Sequence, residues 1–166
     1  MTYHGGKPAG RGRADWETPP GLFARLNSVF GFDLDVCALP DNTKCAKFFA
    51  PIGPRTLHLP MEQLDGLTKA WAPHVCWLNP PYGRGLAAWL RKAVEESNNG
   101  ATVVALLPCD QSTRWFHDYV KPYATIFPLD GRVKFVGAEG SPNFGSMIAI
   151  YWPGGFWDGH PPHRAA

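Results

Sequence analysis

Thr102-Val103-Val104-Ala105-Leu106-Leu107 is an apolar run without a charge, closed by Pro108. A strand with one face in water alternates apolar and polar residues, because successive side chains point to opposite faces. An unbroken run of this length reads instead as a strand covered on both faces, as in a parallel sheet. Parallel strands need crossover segments between them, so the rest of the chain must supply helices. With 166 residues, 45% of them apolar, the chain has the length and the core material for one such domain.

The flanking sequence reads accordingly. Thr18 is positioned as the N-cap of a first helix with prolines in its first turn; Leu22, Phe23, Leu26, Val29 and Phe30 follow at helical spacing, and Gly31 stands where a C-cap belongs. Residues 32–38 read as a strand, 39–60 as irregular and proline-rich, and 61–70 as a weak helix. His74–Leu78 reads as a buried strand. Leu86, Trp89, Leu90, Ala93 and Val94 mark a second helix, with Gly100 beyond its end. A helix near 112–121, a strand near 124–128 and two antiparallel strands at 132–136 and 146–152 complete the series. The alternation predicts an α/β fold, an open sheet with helices on both faces. Residues 1–14 read as a flexible basic tail carrying Lys7, Arg11 and Arg13, residues 15–152 as the domain, and 153–166 as a proline- and glycine-rich tail.

Ligands of open α/β sheets bind beyond the carboxyl ends of the strands. The segment Asn79-Pro80-Pro81-Tyr82 lies at such an end, directly after the strand that closes at Leu78. Asn79 and Pro80 each precede a proline and are pushed toward extended backbone, which leaves their carbonyls outside any helical ladder. An Asn side-chain oxygen and a main-chain carbonyl held rigidly side by side can accept both N–H bonds of a planar exocyclic amine. That arrangement favours pyramidal nitrogen and stabilises the positive charge that develops when the amine attacks a methyl group. Tyr82 offers an aromatic face for a base. No side chain has to remove a proton first, since the methylated amine can lose it afterwards. The bland reading is a surface turn, because Asn-Pro and Pro-Pro are common in loops; the buried strand before it and the helix after it favour the site.

A methyl donor with an adenosine and an amino-acid tail needs a carboxylate for its ribose hydroxyls or its ammonium group. Asp33 and Asp35 are placed to share one face of the 32–38 strand, and Asp35, nearer the carboxyl end, is the better placed. Small Ala38 follows. The competing reading has these aspartates bonded to nearby backbone. No Gly-x-Gly-x-x-Gly loop follows that strand, and Gly83-Arg84-Gly85 is in the wrong place for one.

Residues 15–152 resemble the phage-type adenine-N6 DNA methyltransferases. The stretches that carry the resemblance include Asp15-Trp16-Glu17-Thr18-Pro19, Phe30 through Ala38, Trp77 through Gly83, Val103 through Pro108, Trp115-Phe116, Gly131 through Phe135 and Gly145-Ser146-Met147. The resemblance implies a Rossmann-like methyltransferase fold, S-adenosylmethionine as methyl donor and adenine in DNA as acceptor. It assigns Asp35 and the Thr18-Pro19 corner to the cofactor; Trp16, Asp33 and Ala38 are further candidates for the same site. Asn79, Pro80, Pro81 and Tyr82 go to the target base, turned out of double-stranded DNA. That family also lacks the glycine-rich loop, whereas Cys109 stands where a small residue such as alanine is expected.

The net charge of +2 is too small to argue for nucleic acid by itself. Arg84, Arg114, Arg132 and Lys134 are the candidate DNA contacts, Arg84 because it follows the Asn79–Tyr82 corner directly. Pro108-Cys109 invites a cytosine carbon-5 reading through a thiolate nucleophile, but no companion carboxylate motif accompanies it. His117 and Asp118 read as a solvated helix face, and His160 and His163 as tail residues. None of the four cysteines forms a Cys-x-x-Cys pair, so no metal site is expected. Neither a leader nor an apolar run of membrane-spanning length is present, and a cytoplasmic protein is expected, in a bacterial host if phage-encoded. Sequence specificity, short or relaxed, is expected from loops 39–60 and 136–145. Two other readings stay open: a non-catalytic DNA-binding protein on a methyltransferase scaffold, and a methyltransferase acting on RNA or on a protein glutamine.

Overall fold

The computed structural model describes residues 16–138, 140 and 142–155. The expected tails at 1–14 and, for most of its length, 153–166 lie outside these residues, as does Asp15. The fold is mixed α/β, built on one six-stranded sheet. Its elements are α1 (Pro20–Phe30), β1 (Leu34–Asp35), β2 (Lys47–Phe48), β3 (Val75–Leu78), α2 (Leu86–Asn98), β4 (Thr102–Pro108), β5 (Thr125–Pro128) and β6 (Ser146–Tyr151). The strand order is β2-β1-β3-β4-β6-β5. β2, β1, β3 and β4 are parallel. β6 runs antiparallel to both β4 and β5, so β5 points the same way as β4. Five carboxyl ends therefore share one edge of the sheet.

The apolar run at 102–107 lies in β4, and its burial explains its composition. Val103, Ala105 and Leu107 join one core cluster, while Val104 and Leu106 join the other. The first cluster takes Leu34, Cys76 and Leu78 from the neighbouring strands and Leu86, Trp89, Leu90 and Ala93 from α2. In the second, Trp77, Ile148 and Ile150 pack against Leu22, Phe23, Leu26 and Phe30 of α1. Asp35 pairs in register with Trp77 and lies at the end of β1.

Several expectations are corrected. Thr18 does not cap α1: Pro19 occupies the N-cap with extended backbone, without a side-chain cap, and Thr18 is buried. The reason is the proline pair, which pushes each preceding residue out of helical geometry and starts the helix at Pro20. Gly31 does cap the other end, at φ 65°. The strand expected over 32–38 is only Leu34–Asp35, although Asp33 and Val36 extend the hydrogen bonding to β3. The irregular 39–60 segment contains β2. The expected helix at 61–70 is two 3₁₀ turns, Met61–Gln63 and Gly66–Thr68. The helix near 112–121 contracts to a turn with π geometry, in which the Lys121 amide donates to the Phe116 carbonyl at 2.8 Å. Residues 132–136 form no strand; Val136 makes a single bridge to Glu17.

Candidate active site

The carboxyl edge of the sheet brings Asn79 and Asp35 to one cleft, while Tyr82, at the far end of the same corner, lines a neighbouring hollow. The Asn79 side-chain nitrogen donates to the Trp16 carbonyl at 3.0 Å, which fixes the orientation of the amide. Its oxygen is thereby turned toward the Tyr82 hydroxyl, 3.4 Å away. That hydroxyl has one hydrogen, and the Leu106 carbonyl at 3.0 Å is the nearer acceptor. Asn79 Oδ1 thus retains accepting capacity. Pro80 is buried, and its carbonyl accepts no backbone hydrogen bond from the described residues. Both oxygens, Asn79 Oδ1 beside the Tyr82 hydroxyl and the Pro80 carbonyl, keep accepting capacity at the corner.

An aromatic cluster supports them. The Trp16 ring stacks on Phe135 at 5.3 Å and on Phe144 at 6.1 Å, and Tyr82 meets both phenylalanines edge-on. Edge-to-face and offset-stacked contacts of this kind are the favoured aromatic geometries. The Glu17–Val136 bridge ties the two strands of chain that carry Trp16 and Phe135. Burial pushes the Tyr82 phenol well above its ordinary range, so it remains a neutral donor.

The cleft, about 660 Å³ including its open mouth, is lined by Trp16, Thr18, Asp35, Ala38, Trp77 and Asn79, together with Glu17, Cys37, Leu39, Asn42, Lys44 and Pro51. Asp35 is 3% exposed. One carboxylate oxygen accepts the Lys44 amide at 3.0 Å and the other the Cys37 amide at 3.4 Å. Burial pushes its pKa up to about 6 against the opposing pull of those amides and the Lys44 charge. Trp16, Thr18, Asp35, Ala38 and Asn79 are brought together as expected. Pro19 faces a neighbouring groove instead. Asp33 is also apart from the cleft: its carboxylate accepts the Val75 amide and bonds to His74, each at 2.8 Å. The two aspartates do not share the site because Asp33 lies at the amino end of β1, bonded to the residues that enter β3, whereas Asp35 lies at the carboxyl end.

Cys37, Leu39, Asn42, Lys44 and Pro51 were missed because they come from the irregular 39–60 region and its entry, where no periodicity tells which way a side chain turns. The corner also borders a second hollow, lined by Tyr82, Gly83, Leu86, Pro108, Asp110, Thr113, Trp115 and Phe144. Among the cations, Arg84 is exposed beside that hollow and without an ion pair among the described residues. Arg114 is paired with Asp118 at 3.4 Å. Arg132 and Lys134 line the groove that also holds Pro19. Cys109 is half-buried at the end of β4, its amide bonded to the Gly145 carbonyl. Among the described residues no group of three or more His, Cys, Asp or Glu could hold a metal, and no helix is long and apolar enough to cross a membrane.

Comparison with known proteins returns the same chemistry. A family model described as DNA N-6-adenine-methyltransferase (Dam) matches residues 9–152. A DNA N-6-adenine-methyltransferase of Haemophilus phage HP1 (strain HP1c1) is 35% identical over 127 residues, covering 75% of this chain and 67% of the relative. Another of the same description, from Escherichia phage T1, is 33% identical over 158 residues, covering 81% of this chain and 61% of the relative.

Proposed function

The chain belongs to the DNA N-6-adenine-methyltransferase family, and from that premise we propose that it transfers a methyl group from S-adenosylmethionine to the N6 amine of adenine in double-stranded DNA. The observation that carries the reading is the pair of neighbouring acceptors with remaining capacity, Asn79 Oδ1 and the Pro80 carbonyl, beside a cleft with a buried carboxylate. A Rossmann-like methyltransferase fold with helices on both faces of the sheet is part of the reading, supported by the packing of α1 and α2 in different core clusters.

The cleft residues fit the donor. Asp35 keeps lone pairs directed into the cleft after its two backbone bonds, which suits ribose hydroxyls or an ammonium group. Lys44 offers the complementary charge for a carboxylate tail, and Trp16 and Trp77 supply apolar walls. Bound there, the cofactor supplies an electrophilic methyl group on a sulfonium. On the other side of the reaction, Asn79 and Pro80 accept the two N–H bonds of the adenine amine and hold its lone pair along the line of attack. Their dipoles stabilise the positive charge that grows on nitrogen, in a corner that needs no rearrangement. Tyr82 gives the base a stacking surface. Such stacking, worth about 1–3 kcal/mol, offsets the few kcal/mol spent on turning a base out of the duplex. Arg84, just beyond the corner, is placed to meet a phosphate.

The test is transfer of labelled methyl to DNA, RNA and protein, followed by nucleoside analysis. N6-methyladenine in DNA is expected. Label confined to cytosine, RNA or protein would discard the reading.

A further inference from the structure

We infer that the groove between α1 and residues 129–134 holds sugar–phosphate backbone of the substrate DNA, and that Arg25 is a DNA contact within it. The inference rests on the reading of DNA as substrate and adds the surface that grips it away from the target base.

Three observations carry it. The first is charge without neutralisation. Arg25, Arg132 and Lys134 line one groove, in which Asp130 is the lone acid. No ion pair involves any of the three cations among the described residues, whereas Arg91, Lys92 and Arg114 are each matched to a carboxylate one helical turn away. Three cations facing a common hollow with one acid suit a polyanion.

The second is position. Residues 129–134 leave the carboxyl end of β5, which points the same way as β4. The groove therefore opens at the sheet edge that carries Asn79 and Asp35. Thr18 lies in the cleft and the next residue, Pro19, in the groove, so the two hollows adjoin. Val133 and Phe135 pack into the core while Arg132 and Lys134 alternate outward with them. The Glu17–Val136 bridge holds that extended segment against the aromatic cluster of the active site.

The third is shape. The groove, about 1180 Å³ with its open mouth, is larger and more open than the cofactor cleft. Pro19, Leu22, Leu129 and Val133 give it an apolar floor under a cationic rim. Deoxyribose against the floor with phosphates at the rim satisfies both parts, which a free inorganic anion does not.

The test uses the full chain and a fluorescent duplex, with affinity measured by anisotropy across a salt series. Each of Arg25→Gln, Arg132→Gln and Lys134→Gln is expected to lower the slope of log affinity against log salt by about 0.9. The triple variant should lose about three such steps, with cofactor affinity unchanged and the loss in methyl transfer entering through KM for DNA. Asp130→Asn should tighten DNA binding, a gain that a misfolded chain cannot imitate. If the wild type methylates DNA adenine and the triple variant keeps the wild-type slope, the groove assignment fails alone. If the wild type neither binds nor methylates DNA, the preceding reading fails and takes this one with it. Equal loss of slope on single-stranded RNA would make the groove a general polyanion surface and overturn its assignment to DNA.

Discussion

The Asn79 side-chain amide reaches the Trp16 main-chain carbonyl at 3.0 Å across 63 positions of sequence. The bond uses the nitrogen and leaves the oxygen, 3.4 Å from the Tyr82 hydroxyl, as the acceptor on the other side of the amide. Asn79→Ala removes an acceptor that acts as charge develops. A single preorganised group of this kind is worth about 10²–10³ in turnover. Methyl transfer should fall by about that factor, while calorimetry with S-adenosylmethionine shows affinity close to wild type. Turnover near wild type on double-stranded DNA would remove Asn79 from the chemistry.

Tyr82 separates stacking from anchoring. Tyr82→Phe deletes the hydroxyl that donates to Leu106 but retains the ring, at a cost of about one hydrogen bond, 0.5–1.5 kcal/mol. Tyr82→Ala also deletes the stacking surface, worth about 1–3 kcal/mol per base. The alanine variant should therefore be clearly the weaker on duplex DNA. Fluorescence of 2-aminopurine at the target position should report less of the turned-out base in Tyr82→Ala. Equal behaviour of the two variants would show that the base does not rest on this ring.

How much of this was legible follows from how each residue is constrained. β4 could be read from its composition because both faces are buried from Val103 to Leu107, and each of those side chains is apolar. The corner could be read because two prolines dictate backbone geometry locally. The loop that completes the cleft could not. Lys44 is brought in by its own amide, bonded to Asp35, and any residue type but proline has such an amide. Asn42 instead accepts the Leu39 amide at 2.8 Å and holds a turn. Gly66 is similar: a Cβ there would collide with the Val36 carbonyl, with Phe49 and Trp89 close behind, a crowding that no local pattern announces. Residues 132–136 alternate like a strand, yet among the described residues their one partner is the short Glu17 segment, and the pattern yields a bridge.

Stability away from the site has its own pivot. Glu96, 3% exposed, accepts the Trp71 amide at 2.7 Å, the Ala72 amide at 3.1 Å and the Lys92 ammonium at 2.6 Å. Lys92 and the two amides pull its carboxyl below the ordinary range despite the opposing effect of desolvation, which is the largest single influence on it. Glu96→Ala strands two amides and a largely buried ammonium together. Breaking a buried pair by removing one partner costs about 3–5 kcal/mol. Urea unfolding should show a loss of that order, and Glu96→Gln, which keeps an acceptor for the amides, should lose less.

Asp35 makes the cleft sensitive to pH. Its carboxyl is raised from 3.8 to about 6 by burial, so the folded chain holds a proton that the unfolded chain releases between those values. Below pH 3.8 the group is protonated in both states and imposes no penalty. As pH rises through that window the stability contributed by the retained proton is lost, and above it the penalty is constant. A shift of this size corresponds to a penalty of about 3 kcal/mol. Asp35→Asn should flatten stability over that window in the cofactor-free protein. The ionised form is the one that accepts ribose hydroxyls or pairs with an ammonium group, so cofactor affinity should move the other way, rising from pH 5 to 7 around a midpoint of about 6. Titration calorimetry across that range would show the rise in the wild type and a weaker, flat affinity in Asp35→Asn. An affinity that is flat in the wild type as well would mean that the Asp35 carboxylate does not meet the cofactor.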